Sequence, residues 1–245
     1  WEPDQLDSLL ADVEKQGNLI SLKNQLRINA GRETIAWIRS LIDEQTVKPL
    51  PQNDEKNYEI KLFDSPAVLQ KAIEDKARDE NFGISRLLAT FDWKYINGKK
   101  DGDHPWYVKI GDWQMPWNLQ LPVDKVQKKQ NKKLAWAEQP QTIGEVGSTF
   151  TIQGFDLNYA GVIIGPSVKY RNGRIVFDKA ASENNKAKQR RSLKDGSKVD
   201  VSEEMLRNEL NVLLSRGVNG LYLYAVDDEL SCLLYTSPSP RDRTR

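Results

Sequence analysis

The sequence predicts an α/β fold with a mainly parallel sheet and helices on both faces. Three observations carry this expectation. Apolar, β-branched runs such as Ala160–Ile164 hold no polar residue, the pattern of a strand buried on both faces. Strand, helix and strand follow one another over 58–91, which argues for a βαβ unit with a right-handed crossover. Glycine and proline punctuate the runs, as Gly165-Pro166 does after Ile164.

Taken in order, Trp1–Gln16 reads as a helix with Leu6, Leu9, Leu10 and Val13 at helical spacing, stopped by Gly17-Asn18. Leu19–Arg27 reads as a strand running into a turn. Arg32–Glu44 is amphipathic, with Ile35, Trp37, Ile38, Leu41 and Ile42 on one face, so Trp37 is expected in the core. A Pro/Asn-containing loop over Val47–Lys56 leads to a strand at Tyr58–Phe63. Ser65 as cap and Pro66 at the first helical position open a helix that reaches Asp79. Ser85–Phe91 is the next buried strand. Thr149–Ile152 and Ala160–Ile164 read as two strands joined by the polar turn Gln153–Asp156. Val168–Tyr170 and Arg174–Phe177 flank Asn172-Gly173, a hairpin signal. Lys179–Lys198 is charged and poor in apolar residues, a loop or a surface helix. Val199–Gly217 is a long helix with the stripe Leu206, Leu210, Leu213 and Leu214, Ser202 as N-cap and Gly217 in the position after its end. Gly220–Val226 closes the series as a buried strand.

Asp92–Gln141 breaks this rhythm and is expected to be an irregular insert. It holds five of the seven tryptophans (Trp93, Trp106, Trp113, Trp117 and Trp136) and the basic run Lys125, Lys128, Lys129, Lys132 and Lys133. Rings for stacking bases beside lysines for phosphates are what a single-strand binder needs. Tryptophans pinning loops onto a core beside a solvated lysine run give the same pattern.

Composition narrows the class. The chain has 245 residues, 38% apolar and 29% charged, which suits a globular protein with one large or two small domains. No apolar run approaches the ~20 residues of a membrane span, and no signal peptide is visible; the lack of cysteine before Cys232 is compatible with a reducing, cytoplasmic setting, which is the expectation. The first residue is Trp1 rather than Met, so a fragment is expected. At the other end, the run from Cys232 to Asp242 resembles a translated sequencing adapter, and residues 231–245 are set aside as a non-native tail. That tail carries the only cysteine, Cys232, so residues 1–230 have no thiol for a disulfide or metal site, and the sole His104 cannot hold a metal alone.

The chemistry concentrates in Glu145–Pro166. Gly154 permits close approach of backbone to a ligand, and the Asp156 carboxylate suits a hydroxyl pair such as a ribose edge. An ordinary turn with a solvated Asp is the other reading. Thr151, Gln153, Gly154, Phe155 and Asp156, followed by Val162–Gly165, resemble motif V of superfamily-one helicases, in the variant of the Schlafen-group-3-type DNA/RNA helicase domain. Gln25 and Arg27, followed by Gly31, resemble motif IV, and Asn211–Gly217 with its Ser215-Arg216 pair resembles motif VI. The Trp117-Asn118 and Trp136-Ala137 pairs are similar to pairs in the same family.

The resemblance implies a RecA-like three-layer fold over about Leu19–Leu230, the second of two such domains. It implies that Arg27 reaches ATP phosphates, and that Arg216 acts as an arginine finger, a role worth roughly 10³–10⁵ in rate where such fingers have been removed. Gln25, Gln153, Gly154 and Asp156 then lie near the nucleotide, and Thr149 and Thr151 contact a single strand of DNA or RNA. The implied cofactor is ATP with Mg²⁺. The sequence holds no Gly-x-x-x-x-Gly-Lys-Ser/Thr loop; Asn97-Gly98-Lys99-Lys100 reads as a turn. That loop and the Mg²⁺ ligands are therefore expected in a missing N-terminal RecA-like domain, and this chain alone is expected to be inactive. The rival reading is a non-catalytic nucleic-acid-binding or interaction module of the same fold.

Overall fold

The computed structural model describes residues 3–18, 27–79 and 83–236. Its centre is a five-stranded sheet of β1 (Glu59–Leu62), β2 (Ser85–Ala89), β5 (Val146–Gly147), β6 (Leu157–Ile164) and β11 (Gly217–Ala225), in the order β1-β11-β6-β2-β5. Every pairing in it is parallel. The fold is therefore α/β in three layers, as a RecA-like domain requires.

Alternation along the strands sorts the core into two faces. Ala160, Val162 and Ile164 of β6 and Leu221, Leu223 and Ala225 of β11 face one side. There they meet α2 (Arg32–Arg39), α6 (Ser202–Leu214) and α7 (Asp228–Thr236) through Trp37, Ile38, Leu210, Leu213, Leu230 and Leu234. Tyr159, Ile163 and Tyr222 face the other side and meet Leu69 and Ile73 of α3 (Pro66–Arg78). Gly161 lets α3 come close, because a Cβ there would lie 2.5 Å from Ile73 and 2.7 Å from Leu87. α3 links β1 to β2, which β11 and β6 separate in the sheet.

The Trp-rich insert serves both faces. Trp106 and Trp117 are buried on the second, and Trp136 is buried on the first. Indole N–H groups bind Lys109 O from Trp93, Lys99 O from Trp106, Gln70 Oε1 from Trp113 and Glu145 Oε2 from Trp136. The insert contains the ribbon β3 (Tyr107–Ile110) with β4 (Trp113–Pro116), and the short helix α4 (Lys125–Asn131) whose lysines are exposed. These tryptophans hold loops to the core.

Several local expectations change. Thr149–Ile152 is a turn, not a strand; the strand is Val146–Gly147. The cause is side-chain competition for the backbone: Ser148 N donates to Thr151 Oγ1 at 2.8 Å and Phe150 N to Ser148 Oγ at 3.3 Å. The helix from Arg32 widens to a π-turn at Ser40–Glu44. Val201 rather than Ser202 is the N-cap of α6. Gly217 begins β11 rather than ending α6, and a Cβ on it would strike Gly220 O at a bulge. Lys179–Lys198 resolves into a one-turn helix, α5 (Asn185–Lys188), and a small ribbon of β9 (Arg191–Ser192) with β10 (Lys198–Val199). The hairpin of β7 (Val168–Arg171) and β8 (Arg174–Phe177) turns as expected on Asn172 and Gly173, both at positive φ. Of the expected strand Leu19–Arg27, only Arg27 falls within the described residues. No helix among them is long and apolar enough to cross a membrane.

Candidate phosphate-binding site

Parallel pairing of β6 with β11 builds the site. Leu157 and Gly217, the first residues of the two strands, are in register, and Leu157 N donates to Arg216 O at 2.8 Å. The residues just before them, Asp156 and Arg216, are therefore neighbours at the amino edge of the sheet, although sixty positions separate them in the chain. Arg27 arrives at the same edge because Asn29 N donates to Val218 O at 2.9 Å, with Ile28 and Ala30 buried beside it.

The three side chains converge. Arg27 Nε lies 2.9 Å from Asp156 Oδ1, and Arg216 Nη1 lies 3.5 Å from the same oxygen. Arg216 Nη1 also donates to Phe155 O at 3.2 Å. Two guanidiniums thus share one carboxylate, leaving a net positive charge. The Arg216 side chain is only 8% exposed, while Arg27 and Asp156 are both about half open at 42%. Burial, and then the nearby Arg27 charge, push the Arg216 guanidinium below its ordinary pKa, with Asp156 opposing the shift. Arg216 Nε is buried and has no hydrogen-bond partner. A buried orphan donor costs free energy that an incoming acceptor recovers. Planar donor forks suit phosphate oxygens, so this donor set fits a polyanion such as the phosphates of ATP.

The other expected residues distribute unevenly around this centre. Gly154 has φ +78°, and nothing lies within 4 Å of where a Cβ would stand, so the backbone there is open to a ligand. Gln153 is exposed on the same turn. Gln25 lies outside the described residues. Thr149 is half-buried and opens onto a different cavity, one it lines together with Phe150 and Lys186. Thr151 is half-buried, and its hydroxyl is engaged within the turn: it accepts from Ser148 N at 2.8 Å and donates to Ser148 O at 3.1 Å.

Motif resemblance gathers Arg27, Arg216 and Asp156 around one nucleotide but does not foresee that both arginines pair with Asp156, and two further polar features lie outside the motifs. Glu209 is buried on α6, accepting from Phe91 N and Asn184 Nδ2. Its signal is a carboxylate set three residues after Leu206, inside the apolar stripe. Arg86 is buried in β2 and donates to Thr142 Oγ1, Ser85 O and Gln139 O. Its signal is a lone charge inside the apolar run Ser85–Phe91. Arg86 is a clamp between the sheet and the Trp-rich insert.

Comparison with known proteins agrees with the motifs. Residues 1–227 match the family model described as Schlafen group 3, DNA/RNA helicase domain. The chain is 34% identical over 235 residues to a Saccharomyces cerevisiae protein described as uncharacterized protein YPL245W. The match covers 88% of this chain and 47% of the relative, so the chain spans about half that protein's length. No solved structure matches.

Proposed function

The chain belongs to the Schlafen group 3 DNA/RNA helicase domain family, and on that premise we propose that it is the C-terminal motor half of an ATP-dependent DNA or RNA helicase or translocase. The observation that carries this reading is the convergence of Arg27 and Arg216 on Asp156 Oδ1. ATP, when bound, supplies the phosphoanhydride whose cleavage drives movement. Arg216 presents its buried Nε and its Nη1 to a phosphate oxygen and stabilises charge that develops there. Arg27 positions the phosphates from the open side. Asp156 holds both guanidiniums in place until an anion takes them, and Gln153 and Gly154 line the approach. The phosphate loop and Mg²⁺ ligands belong to a partner RecA-like domain of the intact protein.

The test joins this chain to its native upstream half and measures ATP hydrolysis with and without single-stranded nucleic acid. Arg216→Ala is expected to lower hydrolysis by at least about 10³ while binding of a fluorescent ATP analogue persists. Equal rates in the variant and the wild type sink the arginine-finger role.

A second reading, a non-catalytic nucleic-acid module, is favoured by the exposed lysines of Lys125–Asn131 and the exposed Lys186, Arg190 and Arg191. Salt-sensitive strand binding without any nucleotide hydrolysis by the joined protein supports that reading over the first.

A further inference from the structure

Among the described phenylalanines and tryptophans, Phe150 is the one that is exposed. It is 50% exposed, on the turn that links β5 to the Arg216 site. Its ring meets Phe91 edge-on, with centroids 5.3 Å apart and planes at 86°. That contact fixes the ring from one side while half of the residue stays open to solvent. Lys186 Nζ lies 5.9 Å from the ring centroid. The ring borders a shallow cavity of about 270 Å³, which Met205 and Val212 of α6 line with apolar surface, Lys186 and Arg191 with positive charge, and Asn208 and the buried Glu209 with polar groups.

The framework around this cavity is built, not incidental. Lys186 sits on α5, whose first turn is capped by the Asn184 side chain accepting from Ala187 N. Asn184 Nδ2 is itself tied to Glu209 Oε2 at 2.7 Å. Arg191 Nη2 donates to Lys186 O at 3.5 Å. The segment 179–198 carries seven basic residues against two acidic ones. Apolar surface, an aromatic wall and two cations suit a flat, hydrophobic ring attached to an anion. The cavity is smaller than a pocket for a drug-sized ligand, so it admits one ring system and leaves the anion outside, against the cations.

From this geometry we infer that Phe150 is a base-stacking platform for single-stranded nucleic acid, with one base against its ring and the adjoining phosphates on Lys186 and Arg191. The inference rests on the helicase-family reading and deepens it: the strand contact of the Thr149–Thr151 turn is the aromatic side chain between the two threonines. Thr151 spends its hydroxyl inside the turn, while Phe150, held by the Phe91 contact and with Lys186 Nζ near its ring, keeps half of its surface open. Stacking on an aromatic platform tolerates any base, because every base has a π face.

The experiment uses the intact parent protein carrying this chain, and two fluorescein-labelled 20-mers, oligo-dT and the same backbone with all bases removed. Anisotropy titrations compare wild type, Phe150→Leu and Phe150→Trp. Leucine keeps the apolar contact with Phe91 but has no stacking face; tryptophan restores one. Circular dichroism melts confirm that the variants fold. Phe150→Leu is expected to weaken oligo-dT binding about 5- to 150-fold, and Phe150→Trp to recover it. On the abasic strand, wild type and Phe150→Leu should bind alike. Equal oligo-dT affinity in wild type and Phe150→Leu overturns the platform while leaving strand binding intact. So does an equal loss on the abasic strand. Competition by poly-glutamate as strong as by oligo-dT overturns it too, because the patch is then merely electrostatic. If the wild-type protein binds neither strand, the family-based reading fails first and takes the platform with it.

Discussion

Glu209 is expected to make the stability of this domain fall as the solution turns from mildly acidic to neutral. The residue is 6% exposed on α6. Its Oε1 accepts from Phe91 N at 2.5 Å and its Oε2 from Asn184 Nδ2 at 2.7 Å. These donors favour the carboxylate, but burial outweighs them and the Asp92 charge adds to it, pushing the acid from 4.5 up to about 7. The folded state therefore holds this proton more tightly than the unfolded state. The stabilisation is complete below the unfolded pKa of 4.5 and is lost as pH rises through about 7. A shift of that size corresponds to about 3 kcal/mol at 1.36 kcal/mol per unit. Asp92 shifts in the same direction, since it is buried with Oδ1 lacking any hydrogen-bond partner. Glu59, lowered to about 2 by Lys61, Tyr222 and Lys76 against its burial, acts only below the window. Urea unfolding of wild type and Glu209→Gln at intervals from pH 4.5 to 7.5 isolates the effect. The wild-type stability should fall by about 3 kcal/mol more than that of the variant across the range. Parallel profiles would show that water or local opening solvates Glu209, and the burial argument would be wrong.

Gly161→Ala places a methyl 2.5 Å from Ile73 Cγ1 and 2.7 Å from Leu87 Cδ2 between the sheet and α3. The expected cost is about 1–3 kcal/mol, read from the urea midpoint; an unchanged midpoint would mean that α3 yields freely. Glu145→Ala strips the acceptor from Leu119 N, Leu121 N and Trp136 Nε1, all held by one buried carboxylate. It should cost about 1–3 kcal/mol, the worth of the one buried orphan, Trp136 Nε1, because water reaches the part-buried Leu119 N and Leu121 N, and proteolysis should then cut first within 92–141. Asp156→Asn removes the carboxylate that Arg27 and Arg216 share. Calorimetry should show inorganic pyrophosphate binding this chain about fivefold more tightly, a surface-pair energy of about 1 kcal/mol; weaker binding would mean that Asp156 orients the arginines rather than competing for them.

Most strands were legible because burial on both faces demands apolar runs; Ala160–Ile164 obeys that demand throughout, and Ser85–Phe91 does so apart from its polar ends and the buried Arg86. The order of the strands was not. β1 pairs with β11, whose partner residues lie some 160 positions away, as Glu59 with Gly220 does, and no local pattern encodes such a contact. Thr149–Ile152 misled because β-branched residues favour strands, while the hydroxyls of Ser148 and Thr151 capture backbone N–H groups and curl the chain. Gly217 misled for a related reason. Glycine after a helix reads as a cap, but here it is required by the bulge that brings Gly220 O against its α-carbon. Arg216 and Asp156 were legible only through their motifs. Spacing says nothing about two residues that meet because β6 and β11 begin side by side.

That meeting place also bears on where the proposed chemistry would sit. Ligands in open α/β sheets gather at the carboxyl ends of strands, yet Asp156 and Arg216 precede the amino ends of β6 and β11. Six residues before Asp156, Phe150 contacts Phe91, which follows the carboxyl end of β2. One short connection therefore touches both edges of the sheet. Its middle is held by the Thr151 hydroxyl on Ser148 and by Phe155 N on Ile152 O, and Ile152 itself is fully buried. An anion that draws Arg216 away from Phe155 O and Asp156 acts on this connection at one end; a base on Phe150 acts on it at the other. Binding free energies coupled through one segment are reciprocal. On the proposed reading, nucleotide at the arginine pair alters the grip on the strand by the same factor as the strand alters the grip on nucleotide, with no need for a longer route through the core.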